Sequence, residues 1–430
     1  MNYSQKKFNY KEVIIVILFT LICIPKVNLI SFAGESAGLR IDDIIILASA
    51  FVLFFKNKLI PVNIDRAFLI YYLFVFIALI SYFFNRVFSD EPSLFYVIRN
   101  LEYFIFFVAG TLLANPLKLI KFLYTYFVIQ VVALILQYFS LLPSFSSTNG
   151  LIFGYLTGTT GGPWEVATTL SLSVIVILDY LLLNKKYKNA FLVFMFTNFI
   201  FLIVGQRSPI VAVFLVFILS IYVRVGIYKY LKNVKGIIIF LLAPIIYYFY
   251  LIYQSQGFLF DPYDSLGRFI SIFNSTNFIT VFIGYYNYID VDLADHIITT
   301  RYSRIPIGSW ADLSYIDLSL VQRIEKWAYA IKTFVSLMPL SIFIGIGPGW
   351  SGPSLDSGIL RLFIENGLIG AIFYFSFLYE VFKKNRNSIF IILILLLNMV
   401  FIDVNISYKV MALFLFIAGV FFRNKDFMNS

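Results

Sequence analysis

The sequence predicts an all-α polytopic membrane protein of about twelve transmembrane helices, with one long external loop that carries short amphipathic helices. Three observations predict it. The chain is 60% hydrophobic and only 13% charged, whereas soluble domains carry about 25% charge. No soluble globule of 430 residues could hide that much apolar surface in one core. Apolar runs long enough to cross the hydrocarbon as helices recur from end to end, and the strict alternation of a β-barrel is absent.

The elements follow in order. The first apolar run, 12–30, has no small-residue cleavage site and reads as a retained helix. The next, 41–55, opens on Asp42 and Asp43, which suit a helix start. Further helices are expected at 66–84, 95–114 and 118–140. "TGTTGGPWEVATTL" then supplies a turn and a helix start before 164–183. Helices 190–206 and 208–224 flank the short turn "IVGQRSPIVAVF", and 236–253 completes an N-terminal bundle spanning 1–253. A long connection, 254–356, follows; a loop of that length is usually functional. Within it, "LSLVQRIEKWAYAIKTFVSL" places Ile324, Trp327, Ala328, Ile331, Phe334 and Val335 on one face and Glu325, Tyr329 and Lys332 opposite, as in a helix lying at a membrane surface. The segment 334–347 is short and ends in Pro-Gly breakers, so it reads as interfacial or re-entrant. Three helices at 357–382, 388–402 and 406–422 form the C-terminal part, 357–430.

Charge sets the orientation. With Lys6, Lys7 and Lys11 in the cytoplasm, every second connection carries a basic cluster: Lys56/Lys58/Arg66, Lys118/Lys121, Lys185/Lys186/Lys188, Arg224/Lys229/Lys232/Lys235, Lys383/Lys384/Arg386 and Arg423/Lys425. Both termini are then cytoplasmic and the long loop is external. The formal charge of +10 is thereby explained without a nucleic-acid partner. The external basic residues are mostly arginines: Arg40, Arg86, Arg99, Arg207, Arg268, Arg301, Arg304, Arg323 and Arg361. About half are expected to pair with the external acids Asp261, Asp264, Asp290, Asp292, Asp295, Asp312, Asp317 and Glu325. The remainder suggest an anion site, because guanidinium grips phosphate with two hydrogen bonds.

Individual residues carry two readings. Arg207 sits in a short external turn, where it either snorkels to lipid or binds a substrate phosphate. Arg323, with Lys326 and Trp327 one turn on, either anchors a surface helix or reaches a lipid-linked diphosphate. Glu165, beside Trp164, is a favourable charge at a helix N-terminus or a group that engages a sugar hydroxyl. Arg99 and Glu102 are spaced for an ion pair along a helix. Asp356, in "GIGPGWSGPSLDSGILRLF", is a helix cap or a base. "GIGPG" lacks the ending of a nucleotide loop. Cys23 is the single cysteine and His296 the single histidine, so neither a disulfide nor a Cys- or His-rich metal site is expected, and His296 reads as part of a solvated loop.

The order of "GQRS", long external loop, "R…W" and "GIGPG…DSGILRLFIENGLIG" over about 160–382 resembles the O-antigen polymerase and ligase superfamily of bacterial envelopes. That resemblance implies a multi-pass protein of the inner membrane with its active site facing the periplasm. It implies a glycosyltransferase that needs no metal and no cofactor and takes undecaprenyl-diphosphate-linked oligosaccharide and polysaccharide, alongside membrane lipid. A chain-length regulator and a flippase are implied as partners. Arg207 matches the family's turn arginine, although Gln206 precedes it where Ser or Thr is usual, and Arg323 matches the arginine upstream of the glycines. Ligases carry His-Asn where this chain has Asp356-Ser357, which favours a polymerase. By this reading Arg207 and Arg323, with Arg268 as a third cation, stabilise the leaving diphosphate, and Asp356 or, second, Glu165 serves as base. Lys326, Trp327, Trp164 and Arg99 are expected to contact the diphosphate or sugar. A ligase and a lipid-linked oligosaccharide transporter are the competing readings.

Overall fold

A computed structural model of the chain describes residues 10–25, 28–31, 38–57, 65–86, 93–113, 115–146, 150–152, 156–235, 275–289, 318–352 and 355–424. The chain opens with α1 (Tyr10–Cys23) and a small antiparallel hairpin, β1 (Asn28–Ser31) and β2 (Gly38–Arg40). Next come α2 (Ile41–Asn57), α3 (Arg66–Arg86), α4 (Leu94–Leu112) and α5 (Pro116–Tyr138). A second hairpin, β3 (Ser144–Ser146) and β4 (Gly150–Ile152), leads to α6 (Pro163–Leu183), α7 (Tyr187–Val204), α8 (Arg207–Arg224) and α9 (residues 227–235). Then follow α10 (Ser275–Tyr288), α11 (Leu318–Ser336), α12 (Leu340–Ile344), α13 (Gly358–Lys384), α14 (Ile389–Met399) and α15 (Tyr408–Arg423).

Seven described helices, α3 to α8 and α13, are long and apolar enough to cross a membrane. They present large apolar side chains outward, among them Phe83, Leu202 and Tyr222, a surface that only lipid would cover at low cost. The sequence led us to expect twelve spans. Helix α1 has 14 described residues, α2 17, α14 11 and α15 16, each shorter than the 18 residues of the shortest of those seven. Helix α1 stops early because the chain turns at Ile24 into the first hairpin, and α14 because the turn around Asp403 begins at Val400. The helix expected at 236–253, and the parts of 254–356 other than 275–289, 318–352 and 355–356, lie outside the described residues.

Contacts sort the helix ends to two poles. At the basic pole Lys118 pairs with Glu12 at 2.8 Å, Lys384 with Asp65 at 3.0 Å and Arg66 with Glu380 at 3.4 Å. Arg224 grips Asp179 through Nε at 2.8 Å and Nη2 at 2.9 Å, and also donates to Asn387 at 2.6 Å. These bonds gather the starts of α1, α3 and α5 with the ends of α6, α8 and α13. At the far pole Ser407 donates to Glu165 at 2.6 Å, Tyr103 to the Ile406 carbonyl at 3.0 Å and Asn85 to the Gly345 carbonyl at 3.2 Å. Lys409, fully buried, donates to the carbonyls of Thr159 and Ile24. Consecutive long helices therefore run up and down.

Helices α6 and α15 form the centre and are buried nearly throughout. Helix α15 crosses α4 at two facing glycines. A Cβ on Gly110 would overlap the Phe416 carbonyl oxygen, and one on Gly419 the Phe107 carbonyl oxygen. Small residues let the backbones approach, which is how apolar helices pack where no hydrophobic force drives them together.

Helix α13 is broken at Gly367, where φ is 64° and ψ −173°. The break frees carbonyls that the preceding segment uses: Ile346 N–H donates to Ile364 at 2.8 Å and Gly347 N–H to Glu365 at 3.2 Å. Ser81 also donates to the Glu365 carbonyl, at 3.0 Å. Backbone carbonyls that would be costly to leave unpaired are satisfied by donors from other chain segments. The segment 334–347 contains the end of α11 and the five-residue α12, which is too short to cross.

Helix α11 departs from the expected surface helix. Its apolar residues Ile324 and Ala328 are buried, and so are Glu325 and Tyr329 on the face expected to meet water. The Tyr329 ring stacks on Trp350 with centroids 5.6 Å apart, and Lys332 donates to the Ile289 carbonyl. The cause is coverage from both sides, by α10 and by the glycine-rich stretch. Burial, with Glu325 adding in the same direction, pushes the Tyr285 hydroxyl up to about 12, so it stays protonated beside that carboxylate.

Gly110→Ala or Gly419→Ala should each destabilise the bundle by about 1–3 kcal/mol, the cost of forcing a methyl into a packed contact. Thermal unfolding in detergent will read this as a lowered midpoint. An unchanged midpoint for both would mean that the α4–α15 crossing is not a close one.

Candidate functional site

Residues 345–352 and 355–358 close the far pole, and the geometry of 355–357 is set by Asp403 in the turn between α14 and α15. Asp403 is 4% exposed. It accepts three consecutive backbone N–H groups, from Leu355 at 2.6 Å, Asp356 at 2.8 Å and Ser357 at 3.1 Å. Arg361, fully buried, pairs with Asp403 at 3.2 Å and with Glu365 at 3.3 Å, and donates to the Gly352 carbonyl at 2.8 Å. Two buried carboxylates and one guanidinium thus share a common network. Each would be costly to bury alone.

Asp356 is therefore not the cap of α13. Ser357 holds that position, and its hydroxyl accepts from the Leu360 N–H at 3.4 Å. Asp356 instead adopts φ 58°, a left-handed conformation that aspartate tolerates better than most residues. Its side chain turns to α11, where its Oδ2 lies 3.8 Å from Arg323 Nε and 3.5 Å from Lys326 Nζ. The Asp356 and Arg323 side chains are each 34% exposed, so the cluster opens to the surroundings. Trp327 fixes α11 against the same stretch by donating from its indole to the Leu355 carbonyl at 2.9 Å. Four of the residues singled out from sequence, Arg323, Lys326, Trp327 and Asp356, are thus brought together.

The others are placed differently. Glu165 is 2% exposed and lies within a separate network: Oε2 accepts from the Gly161 N–H at 2.7 Å and Oε1 from the Ser407 hydroxyl at 2.6 Å. This ties α6 to α15 and leaves the carboxylate far less accessible than that of Asp356. Trp164 packs its indole over Gly162. Arg207 begins α8, half-buried, and its neighbour Ser208 donates to Asn398 at 3.4 Å. Asn398 ends α14 just before the Asp403 turn, so Arg207 belongs to the same pole. Arg99 does not form the expected ion pair with Glu102 among the described residues. Glu102 is buried, while the Arg99 guanidinium lies 5.6 Å over the Tyr96 ring. Arg40 takes the pairing role expected of half the external arginines, bonding Asp43 at 3.1 Å. Asp43 in turn accepts the Arg40 N–H at 2.9 Å, a cap-like bond at the start of α2. Arg268 and His296 lie outside the described residues.

Asp403 escaped the sequence reading, as did the inward role of Arg361. Both left a trace. Arg361 and Glu365 are four apart on one helix face, and Asp403 is a lone carboxylate in a short turn between two very apolar helices.

A scan against protein-family models finds no match for this chain, and a search among characterised proteins finds no similar one.

Replacing Arg361 by Met should cost about 3–5 kcal/mol, because it strands Asp403 and Glu365 as buried charges. The triple change Arg361→Met, Glu365→Gln, Asp403→Asn should recover a large part of that loss. Unfolding midpoints of the two variants test this; equal midpoints would show that the charges are not coupled.

Proposed function

We propose that the chain is a polysaccharide polymerase that joins undecaprenyl-diphosphate-linked repeat units at the outer face of a bacterial inner membrane, building an O-antigen or related surface glycan. The observation that carries this reading is the partly exposed pair of Arg323 and Asp356, with the more deeply set Lys326, at the far pole of an apolar helical bundle. Cations and a carboxylate held side by side suit a reaction in which one oxygen gains charge and another loses a proton.

In the proposed step a sugar hydroxyl of the acceptor attacks the anomeric carbon of the donor glycan. The new C–O bond forms as the bond from that carbon to the diphosphate oxygen breaks. The electron pair leaves with undecaprenyl diphosphate, and the hydroxyl proton passes to a base. Arg323 and Lys326 would stabilise the leaving diphosphate, with Arg207 from the same pole of the bundle. Asp356 would take the proton. The tether to Asp403 supports this assignment, since a base must be held still relative to the reacting atoms. Glu165 is a weaker candidate because both its oxygens are already bonded within the bundle. The basic pole would then face the cytoplasm.

A transporter is the second reading, and one observation favours it. Helix α13 is discontinuous at Gly367, and broken helices commonly mark transport sites. Against it, the charged groups nearest the break, Arg361 and Glu365, are paired with each other. A ligase differs only in acceptor. Deleting a polymerase gene leaves envelope lipid capped by one repeat, whereas deleting a ligase gene strands long polymer on its lipid carrier.

Arg323→Lys and Arg207→Lys keep charge but lose the planar fork, and should shorten or abolish polymer on glycan gels. Asp356→Asn keeps the backbone conformation and Ser357 keeps the cap, so the variant should fold while activity falls by about 100-fold or more. Normal polymer from all three variants would overturn the assignment.

A further inference from the structure

At the basic pole, opposite the ionic cluster, two lysine-rich turns come together. One lies where α6 gives way to α7 and carries Lys185, Lys186 and Lys188. The other leads from α8 into α9, which carries Lys229, Lys232 and Lys235. The Tyr187 ring meets the Tyr230 ring edge-on at 6.1 Å, and Tyr230 in turn meets Phe217 of α8 at 5.9 Å. This aromatic contact joins the two turns into one corner. All six lysines are exposed, and none forms an ion pair among the described residues. Asp179, the buried acid of this corner, is taken by Arg224.

The start of α9 sets how it lies. Helix α8 is long enough to cross a membrane and ends at Arg224. The chain then turns at Gly226, where φ is 83°, a conformation that glycine adopts without strain. The Tyr230 N–H donates to the Gly226 carbonyl at 3.1 Å and opens α9. At helical spacing its residues divide into three flanks. Tyr230 and Val234 are buried against the bundle. Ile227 and Leu231, next around the helix, are apolar yet exposed. Tyr228, Lys232 and Lys235 follow, all exposed. One flank on protein, a bare apolar flank beside it and a basic flank beyond is the arrangement of a helix lying at a bilayer surface.

We propose that α9 and the α6–α7 corner form a docking surface for anionic phospholipid headgroups. Ile227 and Leu231 rest on the acyl boundary, and the lysines of both turns converge on headgroup phosphate. Three features commit the surface to lipid. Lysine attracts phosphate as a point charge and needs no fixed partner geometry, which suits mobile headgroups. The bare apolar flank beside the lysines is covered at low cost only by hydrocarbon. Helix α8 delivers α9 to the end of a membrane span, where headgroups lie. The glycan-transfer reading neither requires this surface nor follows from it.

The test is native mass spectrometry of the full chain in nonionic detergent, titrated with phosphatidylglycerol or with phosphatidylcholine of the same acyl chains. The wild type should bind its first phosphatidylglycerol about ten-fold more tightly than phosphatidylcholine. Lys229→Gln, Lys232→Gln and Lys235→Gln made together should lower the phosphatidylglycerol affinity by about five-fold or more, the contribution of even one lysine at an anionic surface. Lys185→Gln, Lys186→Gln and Lys188→Gln made together should do the same. Both variants should keep the wild-type affinity for phosphatidylcholine. The control pairs Lys121→Gln with Lys383→Gln, two exposed lysines of the same pole outside this corner, and should keep the preference. Equal wild-type affinity for the two lipids overturns the proposal and leaves the surface to an acidic protein segment. An equal loss in the control also overturns it, because binding would then belong to the overall charge of the pole.

Discussion

Asp403 accepts three successive backbone N–H groups from residues 355–357 and is neutralised by Arg361 beneath them. Much of the far pole depends on that arrangement. It fixes where α13 begins and gives the cap position to Ser357 rather than Asp356. The Asp356 side chain is then turned outward to Arg323 and Lys326 on another helix. A carboxylate buried this deeply holds its geometry only because its charge is compensated and its oxygens are bonded. The partly exposed cluster is thus supported by a buried one through the backbone of residues 355–357.

The second constraint is the membrane itself. Backbone amides inside a bilayer must find partners, so a helix breaks only where another segment can satisfy it. At Gly367 the amides of Ile346 and Gly347 do this, with Ser81 from α3. The break would be impossible with a side chain at Gly367, since a Cβ there would run into the Phe343 carbonyl. The glycine-rich stretch thereby serves two purposes. It fills the gap in α13, and it carries the peptide groups that Asp403 orders.

Much of this architecture was legible in the sequence. Apolar runs located most of the helices, and the alternation of lysine-rich turns agrees with the sorting of helix ends, as in Lys118–Glu12 and Lys384–Asp65. Arg323, Lys326, Trp327 and Asp356 were readable as candidates because polar residues are rare and visible in such a chain. What was not legible depends on distance along the chain. Asp403 lies 42 residues beyond Arg361, and no local pattern joins them. Ser407 and Glu165 are separated by 242 residues. Helical periodicity misled at Glu325 and Tyr329, because a face that is polar in sequence can be covered by a neighbouring element that the pattern does not contain.

The central claim is that the Arg323–Lys326–Asp356 cluster transfers glycan from a polyprenyl diphosphate. The most direct measurement places the purified full chain in nanodiscs with undecaprenyl-diphosphate-linked repeat units and no other protein. Polymer and free undecaprenyl diphosphate should then appear together, one diphosphate lipid for each new linkage, and both should vanish in Asp356→Asn. Absence of polymer from the wild type, or polymer formation undiminished in Asp356→Asn, would contradict the account.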